Sequence, residues 1–200
     1  MKKLMILCLA SMCSFPILAN KIKVKVDYTE SEKATYPSDA INYFAHHISF
    51  EMNDNTYEFK ANDTFKAWSI LLNAKEIGQV EFITNQFGKN TWKLNFDGYI
   101  VKVSFENFND PREFNIEAEE NTYFMTNEEP DCNSDFRLYD MNPSESDISH
   151  DDYITSARAK VLCGETDWII ALKASGLGEE IVSSFIFTSV VAMNVRGFAY

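Results

Sequence analysis

From Trp92 to Phe105 the chain alternates large apolar and polar residues on both sides of Asp97-Gly98. An Asp-Gly pair flanked by such alternation is the strongest short-range hairpin signal, because both residues tolerate the positive φ of a type I′ turn. Closing the turn there pairs Phe96 with Tyr99, Leu94 with Val101 and Trp92 with Val103. All six apolar side chains then share one face of the ladder, which must be buried. On the other face the register sets Lys93 against Lys102, a repulsion tolerable only on a solvated side with acidic neighbours.

The same pattern read along the rest of the chain gives the other elements. Lys21 to Tyr28 alternates Ile22, Val24, Val26 and Tyr28 with Lys23, Lys25 and Asp27, a half-buried first strand whose lysines suit a sheet edge. Pro37-Ser38-Asp39 opens a short helix with Ile41, Phe44, Ala45 and Ile48 at helical spacing. Ser49 to Asn53 and Thr56 to Lys60 form a hairpin about Asn53-Asp54-Asn55. Asn62 or Asp63 caps a second helix, with Phe65, Trp68, Leu71 and Leu72 as its stripe and Gly78 as its C-terminal stop. Gln79 to Thr84 is a strand that joins the central hairpin in a three-stranded meander.

Beyond Pro111 a strand is expected at Phe114 to Ala118 or at Thr122 to Thr126. Residues 127 to 152 are rich in Asp, Asn, Ser, Glu and Pro and read as one long acidic loop, a lid, binding loop or insertion. Tyr153 to Cys163 and Asp167 to Ala174 read as a further hairpin, with a helix from Asp152 to Leu162 as its rival. A short helix at Glu179 to Ser184 and a final strand at Phe185 to Met193 end the pattern. The elements predict an α+β fold: a mainly antiparallel twisted sheet, a meander with hairpins, covered by two or three short helices and sandwich-like.

Ala171-Leu-Lys-Ala-Ser-Gly, Glu179-Glu180 and Ser184-Phe-Ile-Phe, about 30 residues in all, resemble the strand, helix and terminal strand that close exported domains of the PsbP/Mog1 type. The resemblance implies an α/β sandwich with an antiparallel sheet, and no functional residue.

Composition adds a compartment. Lys2-Lys3, the apolar run from Leu4 to Leu18 and the small Ala19 form an export signal, too short for a membrane span of about 20 residues. Cleavage after Ala19 leaves a single domain at 20–200, with 16 basic against 30 acidic residues, a net charge of −14 in place of −12. That balance excludes nucleic acid and anionic lipid as natural partners and permits a protein with a basic surface. Cleavage also removes Cys8 and Cys13. Cys132 and Cys163, alone in an oxidising compartment, are expected to form one structural disulfide, closing a loop of roughly 30 residues and stabilising by about 3–4 kcal/mol.

Candidate chemistry is sparse. His46 and His47 are adjacent and cannot converge on one metal from a helix. His150 beside Asp151 and Asp152 is a combination that an Asp-rich loop produces by chance. Asp131, Asp135, Asp140, Glu145, Asp147, Asp151 and Asp152 lack the spacing of a calcium loop. No nucleophile elbow, phosphate loop, H-E-x-x-H or C-x-x-C occurs, so no catalytic residue, metal ligand or cofactor is assigned. The expectation is a noncatalytic binding protein of the envelope or secreted fraction, of inhibitor or immunity type, meeting a basic or polar protein. The alternatives are an exported hydrolase working with paired carboxylates, or an envelope assembly factor.

Overall fold

A computed structural model describes residues 20–30, 43–62, 67–84, 90–105, 113–127, 135–140, 155–159, 167–172 and 176–195. Twelve strands follow one another: β1 (Asn20–Glu30), β2 (Tyr43–Met52), β3 (Asn55–Ala61), β4 (Ala67–Leu72), β5 (Lys75–Thr84) and β6 (Asn90–Phe96). Then come β7 (Tyr99–Phe105), β8 (Glu113–Ala118), β9 (Asn121–Asn127), β10 (Asp135–Asp140), β11 (Thr155–Ala159) and β12 (Asp167–Leu172). One helix, α1 (Glu179–Val195), ends the order. Each strand pairs antiparallel with the next, and β1 pairs with β12, so the sheet is a closed barrel.

The central hairpin has the expected register, with Phe96 opposite Tyr99, Leu94 opposite Val101 and Trp92 opposite Val103. Five of those six side chains are buried and Tyr99 is half-buried. The outward lysines meet the acids their repulsion calls for: Glu81 lies across from Lys93 and Glu117 across from Lys102. A row of Glu, Lys, Lys and Glu therefore crosses four strands on the outer wall. The hairpin at Asn53-Asp54, the meander β5–β6–β7 and the late pair β11–β12 also form as the alternation requires. Both candidate strands after Pro111 exist, as β8 and β9 paired to each other.

A closed wall of this size needs a filler. Twelve strands spaced about 4.8 Å apart and tilted about 40° enclose a radius of roughly 12 Å, more than inward side chains span. A helix with its side chains is about 10–12 Å across. The helix α1 supplies it, and every described side chain from Ile181 to Ala192 is buried. Phe187 sits among the wall's aromatics, its ring centroid 5.1 Å from Phe59, 5.1 Å from Trp68 and 6.0 Å from Trp92.

Three of the four buried hydroxyls on α1 bond back to the helix itself, while Ser183 Oγ is buried with no hydrogen-bond partner. Ser184 Oγ donates to the Glu180 carbonyl at 2.7 Å, Thr188 Oγ1 to Ser184 at 2.7 Å and Ser189 Oγ to Phe185 at 2.8 Å. This back-bonding lets hydroxyls lie inside an apolar barrel without losing a partner. At the start of α1 the Gly178 carbonyl accepts from Ile181 N and Val182 N, and Glu179 and Glu180 complement the positive end of the helix dipole. Tyr57 Oη and Asn53 Nδ2 both donate to Glu179, which ties the helix start to the β2–β3 hairpin.

Several expectations are corrected. Among the described residues no helix covers the sheet, and the one helix lies inside it. Of the stretch read as a helix from Pro37 to Ile48, Tyr43 to Ile48 belongs to β2, where His46 is the extra residue of a bulge against Asp27/Tyr28, and 37–42 lie outside the described residues. Ala45 and Ile48 both face inward, three residues apart, and that spacing imitates a helix. Over 67–78 the second helix is also absent: Trp68 and Ile70 alternate inward along β4, and Asn73-Ala74 turns into β5, while Asp63 and Phe65 lie outside the described residues. Both turn residues have positive φ, 50° and 65°, and the shape is held without glycine by Asn73, which bonds Thr56 and Asn55.

The short helix and final strand are one α-helix, so the likeness to a sandwich-closing terminal strand fails. The first strand is not an edge, since β12 and β2 flank it. Within the acidic stretch 127–152, Phe136 and Leu138 alternate inward on β10. Apart from Asn127 at the end of β9, its other parts, like residues 1–19 of the export signal, lie outside the described residues.

Candidate functional site

With α1 in place, the barrel interior is side chain at every level of the described helix, and the inward positions of the wall are almost all apolar. Among the described residues, most titratable groups lie on the outer wall and at the barrel's mouth. The wall's most developed cluster spans the first three strands, where the ladder sets Asp27 opposite His47, His47 opposite Lys60 and Ser49 opposite Glu58. His47 Nδ1 stands 3.0 Å from Asp27 Oδ2, and Nε2 stands 2.9 Å from Glu58 Oε2. Lys60 Nζ reaches the same Glu58 oxygen at 3.0 Å.

Exposure grades the cluster. The Glu58 side chain is 16% exposed and Asp27 64%, with the imidazole between them at 25%. The hydrogen bond from Lys60 first, and that from His47 second, holds the Glu58 carboxyl below the usual glutamate range against the opposing effect of burial. Glu58 is therefore the fixed anion of the set.

The wall continues from Lys60 into a shallow depression of about 330 Å³, lined by Ser69, Leu71, Glu76 and Gln79 among others. Gln79 Nε2 donates to Glu81 Oε1 at 2.9 Å, leading to the lysine row of the central hairpin. A second depression of about 350 Å³ lies by Tyr99, Ile100, Lys102 and Glu117. Both are open surface features lined by mixed charge.

The mouth where α1 enters carries another group of titratable side chains. Burial raises the phenols of Tyr57, Tyr99 and Tyr123, and carboxylates add to it: Glu179 by hydrogen bond at Tyr57, Glu119 and Glu180 at Tyr99, Asp140 at Tyr123. These phenols stay protonated at neutral pH, as Tyr57 must to donate to Glu179.

The structure separates the sequence candidates. His47 joins the outer cluster, while His46 is the bulge residue beside it. Asp135 is buried on β10 and pairs with Arg137 at 3.2 Å; Asp140 lies exposed at the other end of that strand. Cys132, Cys163, Asp131, Glu145, Asp147, His150, Asp151 and Asp152 lie outside the described residues. Among the described residues no group of three or more His, Cys, Asp or Glu side chains is arranged to hold a metal ion. Glu58, Lys60 and the Tyr57–Glu179 contact were missed in the sequence. Alternation along β1 did place Asp27 outward, but nothing local marks it as His47's neighbour.

The fold defines the class of protein at hand, an antiparallel barrel filled by its own C-terminal helix. No family model matches the chain, and neither a curated protein nor a solved structure matches it.

Proposed function

We propose that the protein is an exported, noncatalytic binding protein of the cell envelope or secreted fraction that engages a protein with a basic or polar surface, as an inhibitor or immunity-type protein would. The observation that carries this reading is the filling of the barrel by α1. A barrel that holds a small ligand keeps its interior open to it; here Phe185, Ile186, Phe187 and Val190 take that space. Recognition then falls to the outer wall and the turns, in a chain with 30 acidic residues against 18 basic. Exposed Glu113, Glu117, Glu119 and Glu120 cluster on β8 and its turn, and exposed acids suit a basic partner. The described helix is not long and apolar enough to cross a membrane. Lys23, Lys25, Lys60, Glu81 and Lys102 stand outward and exposed on the strands, where a lipid-facing wall would carry apolar residues.

Affinity capture from envelope extract at low salt tests the reading. A stoichiometric partner is expected, released as salt rises through about 0.15 M and lost when Glu113 and Glu120 are changed to Lys. Capture that ignores both salt and charge reversal, or recovery of no partner at all, would overturn it.

A further inference from the structure

Asp97-Gly98 is the only place in the chain where an aspartate or asparagine precedes a glycine. Such a pair is prone to succinimide closure, because a glycine without Cβ leaves its amide nitrogen unhindered as a nucleophile. Both residues are exposed at the tip of the β6–β7 hairpin, and a Cβ built on Gly98 would meet nothing within 4 Å. Crowding therefore does not slow the reaction. Two hydrogen bonds constrain it instead: Asp97 N donates to the Ile77 carbonyl at 2.7 Å, and Gly98 N donates to Asn95 Oδ1 at 2.9 Å. We propose that Asp97-Gly98 is a self-modification site at which isoaspartate forms, and that Asn95 sets its rate by holding the Gly98 nitrogen away from the Asp97 carboxyl.

In the reaction the Gly98 nitrogen attacks Cγ of Asp97 and the N–Cγ bond forms. The amide proton and the carboxyl hydroxyl leave together as water. Water then adds to one of the two ring carbonyls. Opening at the main-chain carbonyl carbon breaks its bond to nitrogen and routes the backbone through Cβ and Cγ, with the α-carboxyl left as a side group. Closure requires the Gly98 nitrogen to swing about the Asp97 Cα–C bond until it reaches Cγ. Because Ile77 pins the amide on the other side of Asp97, that swing has to break the bond to Asn95. Asn95 is half-buried on β6 between Gln79 and Ile100, so strand pairing on both sides places its side chain beneath the turn. The product matters to the fold, since an extra backbone carbon in a two-residue turn disturbs the closure that sets Phe96 against Tyr99.

Ageing of wild type, Asn95→Ala and Asn95→Asp at neutral pH tests the proposal. After digestion, chromatography separates the aspartyl and isoaspartyl forms of the peptide that carries residue 97, and a methyltransferase specific for isoaspartate counts the product. Asn95→Ala is expected to accumulate it about two- to tenfold faster than wild type, the scale of one lost hydrogen bond. Asn95→Asp keeps an acceptor oxygen on the same stem and stays close to wild type. Amide exchange in wild type gives a reading that no variant's folding affects: the Gly98 proton is expected to exchange more slowly than in the urea-unfolded chain. Asn95→Ala ageing no faster than wild type, Asn95→Asp ageing as fast as Asn95→Ala, or a Gly98 amide exchanging as freely as in the unfolded chain would overturn the proposal.

Discussion

Gly78 packs tightly against β6, and a Cβ built there would fall 1.7 Å from the Asn95 carbonyl oxygen. The obstacle is backbone in the middle of a paired strand, so it cannot swing aside as a flexible side chain would. Gly78→Ala is therefore expected to cost about 3 kcal/mol or more, at the upper end of what overpacking does; urea unfolding midpoints measure it. Glu58 makes a subtler case. Its carboxyl is held low by Lys60 and then His47. A depressed carboxyl supplies stability that is complete above its unfolded-chain value, about 4.3, and is lost as pH falls through its lower folded value. Wild type should thus exceed Glu58→Gln in stability at about pH 5, by no more than about 1 kcal/mol with Lys60 half exposed, and the two should converge as pH falls through the lowered folded value. A constant gap across that range would show that the carboxylate's charge is not what matters.

The helix α1 is both the core and the part of the chain hardest to recognise in sequence. Phe187 has zero exposure and touches the rings of Phe59, Trp68 and Trp92. Phe187→Ala is expected to cost about 3–5 kcal/mol, the range for emptying an aromatic site in a packed core, and near-ultraviolet circular dichroism should report the loosened tryptophans. A helix enclosed on all sides is apolar on all sides, so Phe185 to Met193 carries no 3.6-residue stripe, and its β-branched residues favour a strand reading. Elsewhere the errors came from bulges and turns. The bulge at His46 and the irregularity at Ile70/Leu71 each break a two-residue period, and Asn73-Ala74 forms a hairpin turn without the glycine that would announce it. Where alternation ran unbroken to an Asp-Gly turn, register was readable to the residue, and so was the need for acids beside Lys93 and Lys102, though not that Glu81 and Glu117 supply them. The outer cluster was not readable, because it joins three strands through a bulge that only the folded ladder reveals.

Strand direction gives the whole molecule two unlike ends. The turns at Asn53-Asp54, Asn73-Ala74, Asp97-Gly98 and Glu119-Glu120 lie at the end where α1 enters, and the chain passes from β9 to β10 and from β11 to β12 at the opposite end. That arrangement bears on the two late cysteines. Asp135 on β10 is the register partner of Arg158 on β11; Cys132 precedes Asp135 by three residues and Cys163 follows Arg158 by five. Both cysteines lie outside the described residues, so the bond stands as the expectation that two cysteines in an oxidising compartment raise. Intact mass measured without reductant is expected to fall two hydrogens short of the reduced chain, and digestion should release a Cys132–Cys163 peptide pair. Closing a loop of roughly 30 residues is worth about 3–4 kcal/mol on the chain-entropy view. Reduction should then lower the melting temperature by about 6–15 °C for a domain of this size. A shift near zero with the bond proven intact beforehand would mean that the bond strains the folded barrel by about as much as it restricts the unfolded chain.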